Sequence, residues 1–334
     1  MMKTIVLDKP GELRAAETES PADVPAGYAL VRVNRVGICG TDWHAYRGDQ
    51  PFFSYPRILG HELGVVVERV NDAAAGPKPG DRCAVEPYLN CGRCIACRAS
   101  KPNCCVNLKV MGVHVDGGMR QRLLVPTAKL HRSEKLSPDE LALVEPLSIG
   151  CHAADRAGIT LGERVLIIGA GPIGLSVIPF ATAAGGRVMV MDISASRLEF
   201  CRKKMGVATT LADAALKEFA ADDLPTCVID ATGNPKSMAR CFDLTAHGGR
   251  IVFVGLFQGD VTFNDPNFHR RELTLMATRN SRPRDFERII GMMERGEIDA
   301  RPWITHRAGV DRLLEEFPKW LAPDSGLMKA MIEF

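Results

Sequence analysis

Hydrophobic and polar positions fall into two textures along this chain. In the first, residues Ala29 to Val36 (ALVRVNRV) alternate apolar and polar, the period-2 mark of a strand with one buried face. Gly37, Gly40, Gly48, Gly60 and Gly64, with Pro51 and Pro56, then break the pattern again and again. This part reads as β-rich and loop-rich, opened by a short strand over Met1 to Asp8. The second texture begins after Pro146. Compact apolar runs at Val165–Ile168, Arg187–Met191, Thr226–Ile229, Arg250–Val254 and Leu273–Ala277 are separated, in most cases, by helix-like segments. Such alternation predicts a parallel sheet covered by helices on both faces. Helical spacing recurs over Phe286–Glu297, and a last strand is predicted over Leu327–Phe334. The expected fold is α/β, a doubly wound parallel sheet of the Rossmann type plus a β-rich domain. The chain is expected to return to its first domain near Arg279, giving residues 1–146 with 279–334 and an inserted 147–278.

Composition narrows the partners. Forty-two basic residues against forty acidic ones leave almost no net field, so neither nucleic acid nor an anionic membrane is expected. No apolar run reaches the roughly 18 residues of a membrane span, and charged Lys3 and Asp8 argue against a signal peptide. Eleven cysteines, five of them between Cys91 and Cys105, read as metal ligation in a reducing cytoplasm, not as a secreted disulfide framework.

Candidate chemistry then sharpens both halves. Gly169, Gly171 and Gly174, with Pro172 and Ile173 between them, match G-x-G-x-x-G after a buried strand and before a helix. Glycine there permits the tight turn and the close approach of a pyrophosphate, which meets the helix N–H groups. Asp192 ends the next apolar run, where a carboxylate can accept hydrogen bonds from the adenosine ribose. It would repel a ribose phosphate, so NAD is expected over NADP. Arg197 can lie along the adenine or help accommodate a phosphate. Thr232, Gly255 and Leu256 complete the candidate cofactor contacts.

Cys91, Cys94, Cys97 and Cys105 form C-x2-C-x2-C-x7-C, a lobe of about residues 88–108 able to close a tetrahedron around a structural zinc. Neighbouring Cys104 is a possible substitute for Cys105. A second set is dispersed: Cys39, His61, Glu62 and Glu145. Singly they read as a buried thiol, a core histidine and a helix-end charge. Together they offer sulfur, nitrogen and oxygen with room for water or substrate, as catalytic zinc requires.

With these motifs in order, the sequence resembles the zinc-dependent medium-chain alcohol dehydrogenases along essentially its whole length. Gly37-Ile-Cys39-Gly-Thr-Asp42, Gly60-His61-Glu62, the four-cysteine lobe, Glu145-Pro-Leu147, Gly169–Gly174 and Asp192 carry the resemblance. It implies a GroES-like catalytic domain beside the Rossmann domain. Glu145, where the alcohol dehydrogenases proper carry cysteine, resembles the polyol, sugar and threonine branch. There the resemblance implies zinc on Cys39 and His61 with Glu62 or Glu145, directly or through water. Gln50–Pro56, Gly112-Val-His114 with Asp116-Gly-Gly118, and Val252–Phe257 are similar to the sugar-acid members, L-galactonate-like in substrate.

The resemblance further implies a proton path through Thr41 and His44, and a substrate contact at Arg279 and Asn280 whose guanidinium could grip a carboxylate. His269, Arg270 and Arg271 read as a solvated face or subunit contact. The expected protein is an NAD-linked dehydrogenase, a homo-oligomer carrying two zinc ions per chain and oxidising a small, polar, hydroxylated substrate. Alternatives are L-threonine or another sugar as substrate, a zinc-free enone or quinone reductase, and a non-catalytic NAD-binding protein.

Overall fold

The computed structural model describes residues 1–50, 53–71, 76–212, 223–322 and 324–334. Pro51 and Phe52, part of the Gln50–Pro56 segment, lie outside the described residues. The chain divides into two compact units, Met1–Pro146 with Arg282–Phe334, and Leu147–Ser281. The return falls after Ser281, two residues beyond Arg279, so Arg279 and Asn280 belong to the second unit. No helix among the described residues is long and apolar enough to cross a membrane.

The first unit is built on a seven-stranded sheet. Its path runs Ile304–Gly309, Lys329–Glu333, Tyr28–Ile38, Glu62–Val70, Arg82–Val85 and Leu130–Ser133, with Arg122–Pro126 also paired to Tyr28–Ile38. Only the first two of these strands pair in parallel. The alternating ALVRVNRV stretch lies within the central strand, and its buried Ala29, Val31, Val33 and Val36 join one core with Val65, Val67, Leu123 and Ile332. Burying β-branched side chains on a pleated face is what holds such a sheet together. A separate ribbon pairs Met2–Lys9 with Glu12–Thr18.

The second unit carries six parallel strands: Arg164–Ile168, Arg187–Asp192, Thr209–Ala212, Cys227–Asp230, Arg250–Phe253 and Thr274–Ala277. Numbered in that order within the unit, they lie as 3-2-1-4-5-6, the doubly wound dinucleotide-binding arrangement. Val165, Leu166, Ile167, Val228, Ile229, Ile251 and Val252 are fully buried, as continuous apolar runs in a sheet covered on both faces must be. Thr209–Ala212 was not anticipated. It is an edge strand of half-exposed Thr-Thr-Leu-Ala, too polar to stand out as a run. Helices follow the strands where local chemistry starts them: Pro172 occupies the first turn after Gly171, Ser194 caps Ala195–Met205, and Asn234 caps Pro235–Leu244.

Candidate active site

Adjacent strands and one helix start assemble the dispersed set within the first unit. Tyr28–Ile38 pairs with Glu62–Val70 so that Gly37 faces Glu62, and Lys329–Glu333 pairs on the other side with Ala330 opposite Ile38. Cys39 caps the helix Gly40–Arg47 that follows directly. The ligand atoms of Cys39, His61 and Glu62 all lie within 4.8 Å of one another. Gly37 makes this possible, because a Cβ there would sit 2.2 Å from Glu62 Oε2.

Glu145, on the helix Pro138–Ala157, is buried beside this trio but is not part of the group within 4.8 Å. The Tyr88 hydroxyl donates to its Oε1. Burial, His61 and Glu62 act on it together, the first and last outweighing the histidine and pushing its carboxyl up to about 7.

Three residues not anticipated from sequence hold the trio and Glu145. Asp42 is buried, accepts from the Cys39 backbone N–H at 2.8 Å, and holds Oδ1 3.9 Å from His61 Nδ1. Lys329 Nζ donates to both Glu62 oxygens at 2.6 and 2.8 Å and to the Ile38 carbonyl at 3.1 Å. Tyr88 is the third. Asp42 stands inside the Gly-Thr-Asp motif and could have been picked out; Lys329 lies 267 residues from Glu62, with no local pattern to announce it.

The trio fits a zinc ion. Among the described residues, His61 Nδ1 and Asp42 Oδ1 are buried polar atoms that find no hydrogen-bond partner. Burial alone would strip His61 of a proton, yet Asp42 and Cys39 raise its pKa well above the ordinary value. A place that draws a proton so strongly draws a cation, and sulfur, nitrogen and oxygen donors in one incomplete shell suit zinc with a position left open.

Thr41 is half-buried in the first turn of the same helix, and His44 is exposed with Nδ1 2.9 Å from Asp49 Oδ1. The four-cysteine lobe is equally well formed. Its four sulfurs lie within 4.8 Å of one another, with Cys94 and Cys97 3.5 Å apart, close to the edge of about 3.8 Å in a tetrahedron with zinc–sulfur bonds of about 2.3 Å. Backbone N–H groups of Cys97 and Val106 hold the Cys94 thiol down to about 6, which favours the thiolate that binds metal. Cys105, not the exposed Cys104, is the fourth member.

In the second unit a cavity of about 500 Å³ opens beside strands 1, 2 and 4, lined by Gly169, Gly171, Asp192, Arg197 and Thr232 among others. This is the switch point of a 3-2-1-4-5-6 sheet, where dinucleotides bind. Gly174 packs the following helix onto the turn: a Cβ there would meet the Gly169 carbonyl at 1.7 Å. Asp192 accepts backbone N–H bonds from Ala170 at 2.6 Å and Ser194 at 2.7 Å. Lys236 and Arg240, not anticipated, line the same cavity. Pro172, Ile173, Gly174, Gly255 and the exposed Leu256 are not among its lining residues. Arg279 is exposed and Asn280 holds a left-handed φ of 49° in the turn after Thr274–Ala277.

Comparison with known proteins agrees with both halves. Residues 25–135 match the alcohol dehydrogenase GroES-like domain, and residues 172–295 match the zinc-binding dehydrogenase domain. The L-galactonate-5-dehydrogenase of Escherichia coli K12 is 40% identical, the alignment covering 100% of this chain and 99% of that protein. Two solved structures, rspB of E. coli CFT073 with NADH and a Sinorhizobium meliloti 1021 protein with NADP, each superpose with TM-score 0.92 at 28% identity, covering 100% of this chain and 99% of theirs. The chain belongs to the zinc-binding alcohol dehydrogenase family and is an oxidoreductase of its alcohol- and polyol-dehydrogenase type.

Proposed function

We propose that this enzyme oxidises a secondary hydroxyl of a sugar acid of the L-galactonate kind, or a related polyol, with NAD as acceptor and two zinc ions per chain. The observation that carries the reading is the convergence of Cys39, His61 and Glu62 on one point in a chain 40% identical to an L-galactonate-5-dehydrogenase over its full length. Bound to these three residues, zinc supplies a Lewis acid that makes the substrate hydroxyl easier to deprotonate. Asp42, its Oδ1 3.9 Å from His61 Nδ1, sets a negative charge behind the ring on that side. Lys329 fixes the Glu62 carboxylate, and Glu145 stands beside the trio to hold a water or a substrate hydroxyl. Thr41 and then the exposed His44, whose Nδ1 lies 2.9 Å from Asp49 Oδ1, pass the hydroxyl proton to solvent. On the cofactor side, the Gly169–Gly174 turn receives the pyrophosphate and Asp192 the ribose hydroxyls. Arg279 is the candidate grip for a substrate carboxylate.

The test is an absorbance assay of NADH or NADPH formation by zinc-loaded protein with L-galactonate, other aldonates, polyols and L-threonine. Both cofactors are compared because Arg197, Lys236 and Arg240 line the cavity that holds Asp192. Turnover of L-galactonate-like acids with NAD is expected. No reduction with any member of the panel would overturn the reading.

A further inference from the structure

The segment from Glu86 to Cys91 runs from the sheet into the four-cysteine lobe, and it is anchored all along. Glu86, almost fully buried, pairs with Lys129, and its Oε2 lies 3.1 Å from His131 Nε2. Lys129 Nζ also donates to Asn90 Oδ1 at 3.2 Å, and Asn90 Nδ2 donates to Cys97 Sγ at 3.8 Å. Between these anchors the Tyr88 ring is buried, and its hydroxyl donates to Glu145. The short strand Tyr88–Leu89 is paired in addition to Lys109–Val110, on the far side of the lobe in sequence.

We propose that Tyr88 is a positioning residue for Glu145, held in place by the four-cysteine lobe, so that the lobe sets the catalytic carboxylate through one phenol. The inference rests on reading Cys39, His61 and Glu62 as a metal site. Glu145 is a second buried carboxylate beside Glu62, and Lys329 spends both of its Glu62 contacts on that first carboxylate. A cationic donor to Glu145 would cancel its charge; a neutral phenol fixes one oxygen and leaves that charge in place. An aliphatic or phenyl side chain at position 88 would fill the same space and let the carboxylate turn. The lobe contributes rigidity: Asn90 and Cys91 tie the ribbon to the sulfur cluster within three residues of the phenol.

The experiment uses full-length protein with zinc kept in the lobe and cobalt exchanged into the Cys39–His61 site. In Tyr88→Phe, the visible cobalt bands should shift, and kcat on the best substrate should fall about tenfold, in the range seen when outer partners of a metal site are lost. KM for NAD should stay unchanged. In a Glu145→Gln background, adding Tyr88→Phe should change neither spectrum nor kcat further. Glu145→Asp, which withdraws the carboxylate by one methylene and leaves Tyr88 intact, should reproduce the spectral shift and serves where the phenylalanine variant folds poorly. Unshifted bands with wild-type kcat in Tyr88→Phe, with only the melting temperature lowered, make Tyr88 a packing residue and overturn the inference. An unshifted Glu145→Asp, or an equal loss from Tyr88→Phe in the Glu145→Gln background, does the same. Wild-type protein that takes up no cobalt outside the lobe overturns the metal-site reading, and this inference with it.

Discussion

Replacing Glu163 by Gln should destabilise the parallel-sheet unit strongly at neutral pH and less at acid pH. Glu163 precedes the first strand of that sheet, and its carboxylate ties three strand starts together. It accepts from both terminal nitrogens of Arg250 at 2.7 Å, from the Thr226 hydroxyl at 2.7 Å and from the Thr160 N–H at 3.0 Å. Arg250 in turn donates to the carbonyls of Ala157 and Gly158. Burial works against the charge on Glu163; the bidentate Arg250, the Thr160 N–H and the Thr226 hydroxyl outweigh it and hold the carboxyl at about 2. The side chains are 7% and 22% exposed, so solvent screens the pair little. Lowering a carboxyl from 4.5 to about 2 is worth about 3 kcal/mol at about 1.36 kcal/mol per pH unit. Because the folded value is the lower one, this contribution is complete above pH 4.5 and is lost as pH falls toward 2. At pH 3 about 1.5 kcal/mol remains. Glu163→Gln should therefore lower the melting temperature by roughly 10 °C at pH 7 and about half as much at pH 3, read by calorimetry. A variant melting within a degree of the parent at pH 7, or equally far below it at both pH values, would refute the reasoning.

Three further substitutions probe the sites themselves. Gly37→Ala places a Cβ against Glu62 and should weaken metal binding at the Cys39–His61 site about tenfold or more, measured by chelator competition; unchanged affinity would show that Glu62 is free to move aside. Gly174→Ala forces the helix off the Gly169 carbonyl, a packing strain of about 1–3 kcal/mol, so NADH affinity in a fluorescence titration should drop roughly tenfold. A wild-type titration curve would contradict this. Cys94→Ser removes one corner of the sulfur tetrahedron and should cost the lobe its metal, leaving about one zinc of about two per chain by elemental analysis. Retention of both would mean that another residue, with exposed Cys104 the first candidate, takes its place.

What could be read in advance follows from where the physics is local. Strands buried on both faces spell themselves as apolar runs, so Val165–Ile168 and its neighbours stood out, whereas the polar edge strand Thr209–Ala212 did not. The glycine turn and the cysteine lobe are local in sequence, because a turn and a tetrahedral cage close over a few residues. Cys39, His61 and Glu62 are dispersed, and their resemblance to a known arrangement made them visible. The groups that fix them were harder. Lys329 meets Glu62 only because the last strand pairs beside Tyr28–Ile38, and Tyr88 meets Glu145 across 57 residues. Ion pairs and hydrogen bonds formed by tertiary folding leave no periodicity to detect. The placement of Arg279 and Asn280 in the parallel-sheet unit likewise depends on where the chain crosses back, a boundary that composition marks only softly.

The central claim is that Cys39, His61 and Glu62 hold one catalytic cation, and zinc content measured together with turnover in Cys39→Ser tests it most directly. The variant should fold normally by circular dichroism, keep about one zinc per chain in the cysteine lobe, and form no NADH from a substrate that the parent enzyme oxidises. A Cys39→Ser protein with its full zinc complement and undiminished turnover would contradict the account.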